Sequence, residues 1–430
     1  MTWMDRAGRH PWSLMIHCQD WHKRPASQWD RNIEGDVPLL QLLARPPILY
    51  ATRLTILGDR DSVGFNEIPF PRVESLVLSC CHWSPPMAPD EGPKNLMPNL
   101  RKAVLDFICD PHFITRFPLS NLTHLYVRGL TARQWRGLFR LCTALQEGCF
   151  EISTFFEDEQ EVLLEILPGE ITLPDLRELT FVSSSGFEQS LSEVNLPALT
   201  KLRLFTHWEP ILWNMPKGSD HKTFEHLTHF TFMAFASTFV EDLINIFSSM
   251  PNLVELLFHL EGGFNEMFEF LTFDFNEDRM CNLPHLGALG MWLSTIDRTI
   301  ENDPDEEFGD AGRRIVIPYH LLDNLICSRT KAVDHGKFES VTRLQRLVIG
   351  LHETQWADEE ATNLETELGP VAEAQNLDFS IYRDSETFLA GNPPSPLDDR
   401  PLTHWDEGFM DFIDKIDIYQ CTLVAGRREI

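Results

Sequence analysis

The sequence has little positive charge for its length. Lys and Arg number 36 against 65 Asp and Glu, which gives a formal net charge of −29. A surface of that sign repels phosphate backbones and anionic lipid headgroups over most of its area. We therefore expect neither nucleic acid nor a membrane as a partner.

Long apolar runs are missing as well. No run of about 18 apolar residues occurs, and the opening MTWMDRAGRHPW lacks the apolar region of a secretory signal. The nine cysteines are odd in number and scattered, and most lie within apolar segments, where Cys behaves as a small hydrophobic residue. These features predict reduced thiols and a cytoplasmic or nuclear protein.

The short motifs that carry chemistry are incomplete. Gly336-Lys337 is followed by Phe338, so no phosphate-binding loop forms, and His352-Glu353 has no second His at the zinc-protease spacing. Ser183–Gly186 lacks the frame of a nucleophile elbow, and Cys80–His82 has no second pair of metal ligands. The sequence therefore predicts no catalytic residue, no cofactor and no metal.

A nine-residue phrase is repeated in the middle of the chain. Four strong copies lie between Leu173 and Phe258: LPDLRELTF, LPALTKLRL, FEHLTHFTF and MPNLVELLF. Each has apolar residues at its first, fourth, seventh and ninth places. A strand this short cannot bury its apolar face alone, so successive copies are expected to stack into a parallel sheet.

Weaker copies extend the repeat in both directions. Aligned on the fourth place, the copies are those of Ala51, Val73, Leu100, Leu122, Leu145, Leu176, Leu199, Leu227, Leu253, Leu286 and Leu344. Most neighbouring copies are separated by the about 20–29 residues of leucine-rich repeats. The last two are 58 residues apart, which leaves room for a further degenerate copy. We predict an irregular α/β leucine-rich repeat solenoid of about eleven repeats, with the parallel sheet on its concave face.

Helical spacing between the phrases predicts helices on the convex face. Apolar stripes indicate helices near 131–145, 238–249, 319–328 and 364–374. A Pro occupies the second place of most phrases, where it is expected to stop the preceding helix and begin the extended strand.

The domain organisation follows from these assignments. We expect an N-terminal cap at 1–36, a repeat region at 37–382 and a C-terminal cap at 383–430. An acidic insertion near 297–312 interrupts the repeats, and the acidic residues 358–360 are expected to be solvated.

The x-Pro-x-Leu-x-x-Leu-x-Leu phrase, at irregular spacing and with short helices between copies, resembles the leucine-rich repeat portion of the fungal F-box protein family. The segment from Trp3 to Ile16 is similar to the one that directly follows the F-box in that family. The resemblance implies the substrate-recognition part of a cullin-type ubiquitin ligase. No F-box is visible, so binding to the ligase adaptor is expected only if that module is missing from this sequence.

A solenoid offers a long surface suited to contact, whereas an enzyme needs convergent groups in an enclosed pocket. We therefore expect a non-enzymatic protein-protein interaction scaffold. Three alternatives stay open: a repeat protein with no ligase role, a truncated gene product, and an enzyme on an unrecognised fold.

The candidate binding site follows from strand alternation. If the fourth, seventh and ninth places form the core, the sixth, eighth and tenth face outward from the concave sheet. In the copies that were compared, those places hold six Lys or Arg and three acidic residues. This balance either reflects the tolerance of strands for basic residues or marks a patch for an acidic or phosphorylated protein segment. The predicted patch comprises Tyr126, Arg128, Lys201, Arg203, Phe205 and His229.

Overall fold

The computed structural model describes fourteen segments of the chain. They are residues 13–18, 50–58, 70–79, 97–106, 117–130, 132–152, 171–183, 194–206, 224–234, 240–273, 282–294, 317–331, 341–351 and 357–382. The acidic insertion and the C-terminal cap lie outside these segments. None of the helices in the described segments is long and apolar enough to cross a membrane.

The chain divides into two compact units. The first contains a parallel sheet whose strands follow chain order: β1 (Ser13–Cys18), β2 (Arg53–Gly58), β3 (Ser75–Ser79), β4 (Lys102–Asp106), β5 (His124–Leu130), β6 (Glu147–Ile152) and β8 (Glu178–Ser183). Two short strands, β7 (Ile171–Thr172) and β9 (Val194–Asn195), pair separately in the same unit.

The second unit repeats this plan. Its parallel strands are β10 (Lys201–Thr206), β11 (His229–Ala234), β12 (Glu255–Glu261), β13 (Ala288–Ser294), β14 (Arg346–Leu351) and β15 (Asp378–Tyr382). The described helices are α1 (Ala132–Leu141) in the first unit and α2 (Val240–Ser248), α3 (Phe264–Leu271), α4 (Tyr319–Lys331) and α5 (Ala357–Ala374) in the second.

The strand register agrees with the alignment of the phrases. Sixth-place residues pair with one another along the sheet, as in Lys102 with His124 and Lys201 with His229. All eleven fourth-place residues are buried, each with at most 1% of its surface exposed. The phrase therefore fixes the same strand position in every copy, whatever the spacing between copies.

A four-residue turn begins most phrases. In eight copies the fourth-place N–H donates to the first-place carbonyl oxygen at 3.0–3.5 Å, as Leu100 does to Met97. The second-place Pro, such as Pro98, lies at the second position of this turn, where its fixed φ is favourable. The Pro therefore lies in a turn that leads into the strand, which adds a turn to the expectation that it stops the preceding helix and begins the extended strand.

Backbone hydrogen bonds join most phrases to the preceding repeat. In nine copies the fifth-place carbonyl oxygen accepts from the two N–H groups at the fifth and sixth places of the next copy, at 2.8–3.2 Å. Asn99 and Asn252, both at the third place, add a side-chain bond of 2.6 Å to the second-place carbonyl of the preceding copy. Neighbouring copies are therefore held in register before their strands begin.

The helices cover the core face of the sheet in each unit. In the first unit the ring of Trp135 lies 4.9 Å from that of Phe181, and the ring of Phe139 lies 5.1 Å from that of Phe150. In the second, the ring of Phe247 on α2 lies 5.2 Å from that of Phe258 on β12. Aromatic side chains each bury a large apolar area, so these contacts dominate the packing of helix on sheet.

Three features differ from the sequence-based expectations. The helix α3 was not predicted, although Phe264, Met267, Phe268 and Leu271 form its buried stripe. β13 pairs directly with β14, so no strand from a hidden copy lies between them in the sheet. Glu360 is buried and accepts a hydrogen bond from the Tyr319 hydroxyl, so it is not a solvated residue.

Candidate functional site

The six residues of the predicted patch fall in different units. Tyr126 and Arg128 lie on β5 in the first unit, whereas Lys201, Arg203 and Phe205 lie on β10 and His229 lies on β11 in the second. The side chain of Arg128 lies outside the part of the chain that the structure describes. The second unit therefore holds most of the patch.

Lys201 and His229 are brought together as direct partners in the parallel register. Both side chains are half-buried, and so is Arg203, which lies on the same face two residues beyond Lys201. The His229 Nε2 atom is 3.8 Å from the Glu255 Oε2 atom on β12, and these side chains are 41% and 47% exposed. This corner of the sheet combines accessible basic groups with an accessible carboxylate.

Tyr126 and Phe205 are buried, with 1% and 2% of their surfaces exposed. The Tyr126 hydroxyl donates a hydrogen bond to Glu147, one strand along the sheet. Burial of the apolar Phe205 ring stabilises the folded protein because it removes apolar surface from water. This corrects the expectation that the two aromatic side chains are available to a partner.

Most residues at the eighth and tenth places of the outer face are buried as well. They include Val104, Cys149 and Val182 in the first unit and Leu257, Met233 and Trp292 in the second. These positions are largely apolar, and in-register neighbours fill space for one another: the Leu257 side chain occupies the volume where a Cβ on Gly290 would lie. The outer face is thus accessible mainly at its sixth places.

The sixth places of the second unit form a continuous row, which we call the sixth-place row. Its members are Lys201, His229, Glu255, Ala288, Arg346 and Asp378. Arg346 and Asp378 approach to 3.8 Å, with 38% and 69% of their side chains exposed. Asp378 was missed by the sequence reasoning, because β15 carries no complete phrase and its pairing with β14 is visible only in the structure.

Each unit contains a cluster of Thr, His and Glu side chains. They are Thr123, His124 and Glu147 in the first and Thr228, His229 and Glu255 in the second. The His Nδ1 atom lies 2.9 Å from the Thr Oγ1 in the first cluster and 2.8 Å in the second. The Nε2 atom faces the carboxylate at 3.5 Å and 3.8 Å. We call these arrangements the first and second Thr-His-Glu clusters.

A hydroxyl, an imidazole and a carboxylate in sequence suggest a nucleophilic triad, but the hydrogen bonds are arranged differently. Each Thr Oγ1 lies 3.1 Å from a backbone carbonyl oxygen, that of Arg101 in the first cluster and that of Thr200 in the second. A carbonyl can only accept, so the single hydroxyl hydrogen is donated to it. The imidazole therefore cannot receive that proton, and the clusters link strands without activating a nucleophile.

No group of three or more potential metal-ligating side chains occurs within the described segments. Cys142 is a buried cysteine with a free thiol. Burial raises the pKa of the Cys142 thiol far above its ordinary value, which keeps it protonated and unreactive at neutral pH.

No protein-family model and no curated protein matches this sequence. Among solved structures, the crystal structure of a TLR13–ssRNA13 complex is similar, with 11% sequence identity and a TM-score of 0.37. The similarity covers 78% of this chain and 43% of that chain, so it spans less than half the length of that chain. None of these comparisons supports the resemblance to F-box proteins. The strand order and register show that each unit is an α/β solenoid of irregular leucine-rich repeats.

Proposed function

We propose that the chain is a non-enzymatic protein-interaction scaffold that binds its partner along the sixth-place row of the second unit. The observation that carries the proposal is the row itself, in which each of six successive strands presents one side chain in register. Parallel strands lie about 4.8 Å apart, so the row matches an extended peptide or a flat protein surface better than a small molecule.

The charges of the row favour an acidic or phosphorylated segment at its β10 end. Lys201, Arg203 and His229 lie there on two neighbouring strands and retain solvent access. Arg and Lys bind carboxylates and phosphates through charge-assisted hydrogen bonds. Because the groups are partly exposed, the interaction should weaken as salt is added.

The test uses the full chain and fluorescently labelled peptides, one acidic, one carrying phosphoserine and one of neutral composition. We expect the two anionic peptides to bind, and Lys201→Glu with Arg203→Glu to reduce their affinity at least about tenfold. The matched control is Arg346→Glu, which reverses one charge of the same row at a distance from this corner. Equal binding by the double variant and the wild type, or no binding of either anionic peptide, would reject the site.

A single-stranded RNA of similar length belongs in the same assay. We expect it to bind more weakly than the phosphopeptide, since the net charge of −29 opposes a polyanion away from this corner. Tight RNA binding that is lost in the double variant would assign the same corner to nucleic acid instead of protein.

A narrower proposal rests on the sequence pattern alone. The repeat phrase and the segment from Trp3 to Ile16 suggest that the partner is a substrate of a cullin-type ubiquitin ligase, in the cytoplasm or nucleus. Because no F-box is visible in this sequence, we expect calorimetry with the ligase adaptor to show no binding to the chain as given. A submicromolar complex would overturn that expectation and show that the chain itself recruits the adaptor.

A further inference from the structure

The two Thr-His-Glu clusters share a sequence signal as well as a geometry. Leu122-Thr123-His124 and Leu227-Thr228-His229 both occupy places four to six of their phrases, and the carboxylate is the sixth-place residue of the next strand. A repeated tripeptide with a repeated contact points to a shared role in holding neighbouring repeats together. His is the side chain that ordinarily changes charge between about pH 5 and 8.

In both clusters the hydrogen bonds determine which ring nitrogen of the neutral imidazole carries the hydrogen. The Thr hydroxyl donates to a backbone carbonyl, so it can only accept from the His ring, and the Nδ1 atom must carry a hydrogen. In the neutral ring the unprotonated Nε2 atom then faces a carboxylate oxygen, and both atoms are electron-rich. A second proton on Nε2 converts this unfavourable contact into an ion pair.

We propose that the Thr-His-Glu clusters are proton-dependent clamps that strengthen the contact between adjacent repeats as the pH falls through the range of histidine titration. Protonated His124 ties β5 to β6 through Glu147, and protonated His229 ties β11 to β12 through Glu255. The folded chain then binds the proton more readily than the unfolded chain does. The added stability is present below about pH 6.5 and is lost as the pH rises above it.

Other charged groups near the clusters determine how much stability the protonation of each His adds. Lys102 lies opposite His124 on β4, and Lys201 lies opposite His229 on β10, and both ammonium groups oppose a second positive charge. The Tyr126 hydroxyl donates a hydrogen bond to the Glu147 carboxylate, which His124 on the same strand also approaches. In the second cluster, Arg203 on β10 adds a further positive charge to the same face.

The two clusters differ in exposure, and this difference provides an internal comparison. The side chains of His124 and Glu147 are 20% and 14% exposed, whereas those of His229 and Glu255 are 41% and 47% exposed. Solvent screens the attraction between exposed charges more strongly. The first cluster should therefore account for most of the pH dependence.

Hydrogen exchange with mass spectrometry tests the proposal on the full chain between pH 5.5 and 8.0, after correction for the intrinsic pH dependence of exchange. In the wild type, amides of β5 and β6 should lose protection at least about threefold as the pH rises. His124→Gln should remove this pH dependence, and His229→Gln should leave it unchanged in β5 and β6. The same pH dependence in His124→Gln as in the wild type would overturn the proposal.

A second measurement needs no variant and so does not depend on the folding of His124→Gln. Exchange of the imidazole C2 hydrogen, read by mass spectrometry, reports the titration of each His in the wild-type chain. His124 should keep its second proton to a higher pH than the histidine of a short unstructured reference peptide. Titration of His124 at the same pH as that peptide, or at a lower pH, would show that the first cluster is not a proton-dependent clamp.

Discussion

The Arg329 Nη1 atom donates a hydrogen bond of 2.8 Å to the carbonyl oxygen of Leu283, a residue whose φ of 52° is unusual for a side chain of its size. The same guanidinium donates from Nε to the carbonyl oxygen of Leu271, at the end of α3, at 2.7 Å. Arg329 is buried. It therefore joins α4, the end of α3 and the turn that leads into β13.

Replacing Arg329 with Met should destabilise the second unit by at least about 3 kcal/mol, because several buried carbonyl oxygens lose their donor. Arg329→Lys should recover only part of the loss, since one ammonium group cannot reproduce the planar geometry of a guanidinium. Urea denaturation measures both changes. His320→Ala, at an exposed position on the same helix, is the control and should change stability by less than about 0.5 kcal/mol. A wild-type midpoint for Arg329→Met would contradict the assignment.

Leu202 lies in the core face of β10 and is buried, whereas its neighbour Lys201 faces the other side. Leu202→Asp would bury an unpaired charge and should cost at least about 4 kcal/mol, unfolding neighbouring repeats together. Lys201→Gln is the matched control and should cost less than about 1 kcal/mol. An unchanged melting temperature for Leu202→Asp would refute the register of β10.

Gly262 and Gly263 form a matched pair before α3. Both have positive φ values, 78° and 62°, but an added Cβ on Gly263 would lie 2.8 Å from the Cβ of Val240, whereas one on Gly262 meets nothing within 4 Å. Gly262→Ala should cost about 1 kcal/mol from backbone strain alone. Gly263→Ala should cost about 1–3 kcal/mol more, because a Cβ cannot rotate away from the clash. Thermal denaturation of the two variants measures the difference, and equal melting temperatures would exclude the close approach to Val240.

The buried Cys142 thiol should make stability fall at alkaline pH. Burial raises its pKa in the folded chain, so the unfolded chain releases the proton first. Its contribution is complete below about pH 8.5, the ordinary value for Cys, and declines above it by about 1.4 kcal/mol per pH unit. Chemical denaturation from pH 7 to pH 10 should show this slope for the wild type relative to Cys142→Ala. Parallel pH profiles for the two chains would disprove it.

The strand positions could be predicted because the phrase is a local signal. The apolar residues at its first, fourth, seventh and ninth places make the core, so a buried residue such as Leu176 or Leu227 identifies its strand without knowledge of the rest of the chain. The helices α2 and α4 were predicted for the same reason, since their apolar stripes have helical spacing.

The availability of side chains on the outer face could not be predicted in the same way. Strand alternation gives the face of the sheet on which Tyr126 or Phe205 lies, but it does not tell whether neighbouring side chains bury that residue. Burial depends on contacts between residues that are distant in sequence, such as the hydrogen bond from Tyr126 to Glu147. The helix α3 was missed because it has only eight residues and follows two glycines, which weaken any helical signal before it.

In most phrases the fifth-place carbonyl oxygen accepts two backbone hydrogen bonds from the next copy, and this affects how such a chain can gain or lose residues during evolution. The oxygen of Gly287 receives the N–H groups of Gln345 and Arg346 although 57 residues intervene between Gly287 and Gln345, and the oxygen of Thr52 receives those of Glu74 and Ser75 across a far shorter spacer. Because the connection is made by backbone atoms of the phrase itself, a spacer can gain or lose residues without shifting the strands on either side. Insertions and deletions between phrases are therefore nearly neutral for the sheet, and new surface can be added to one repeat while the others keep their places.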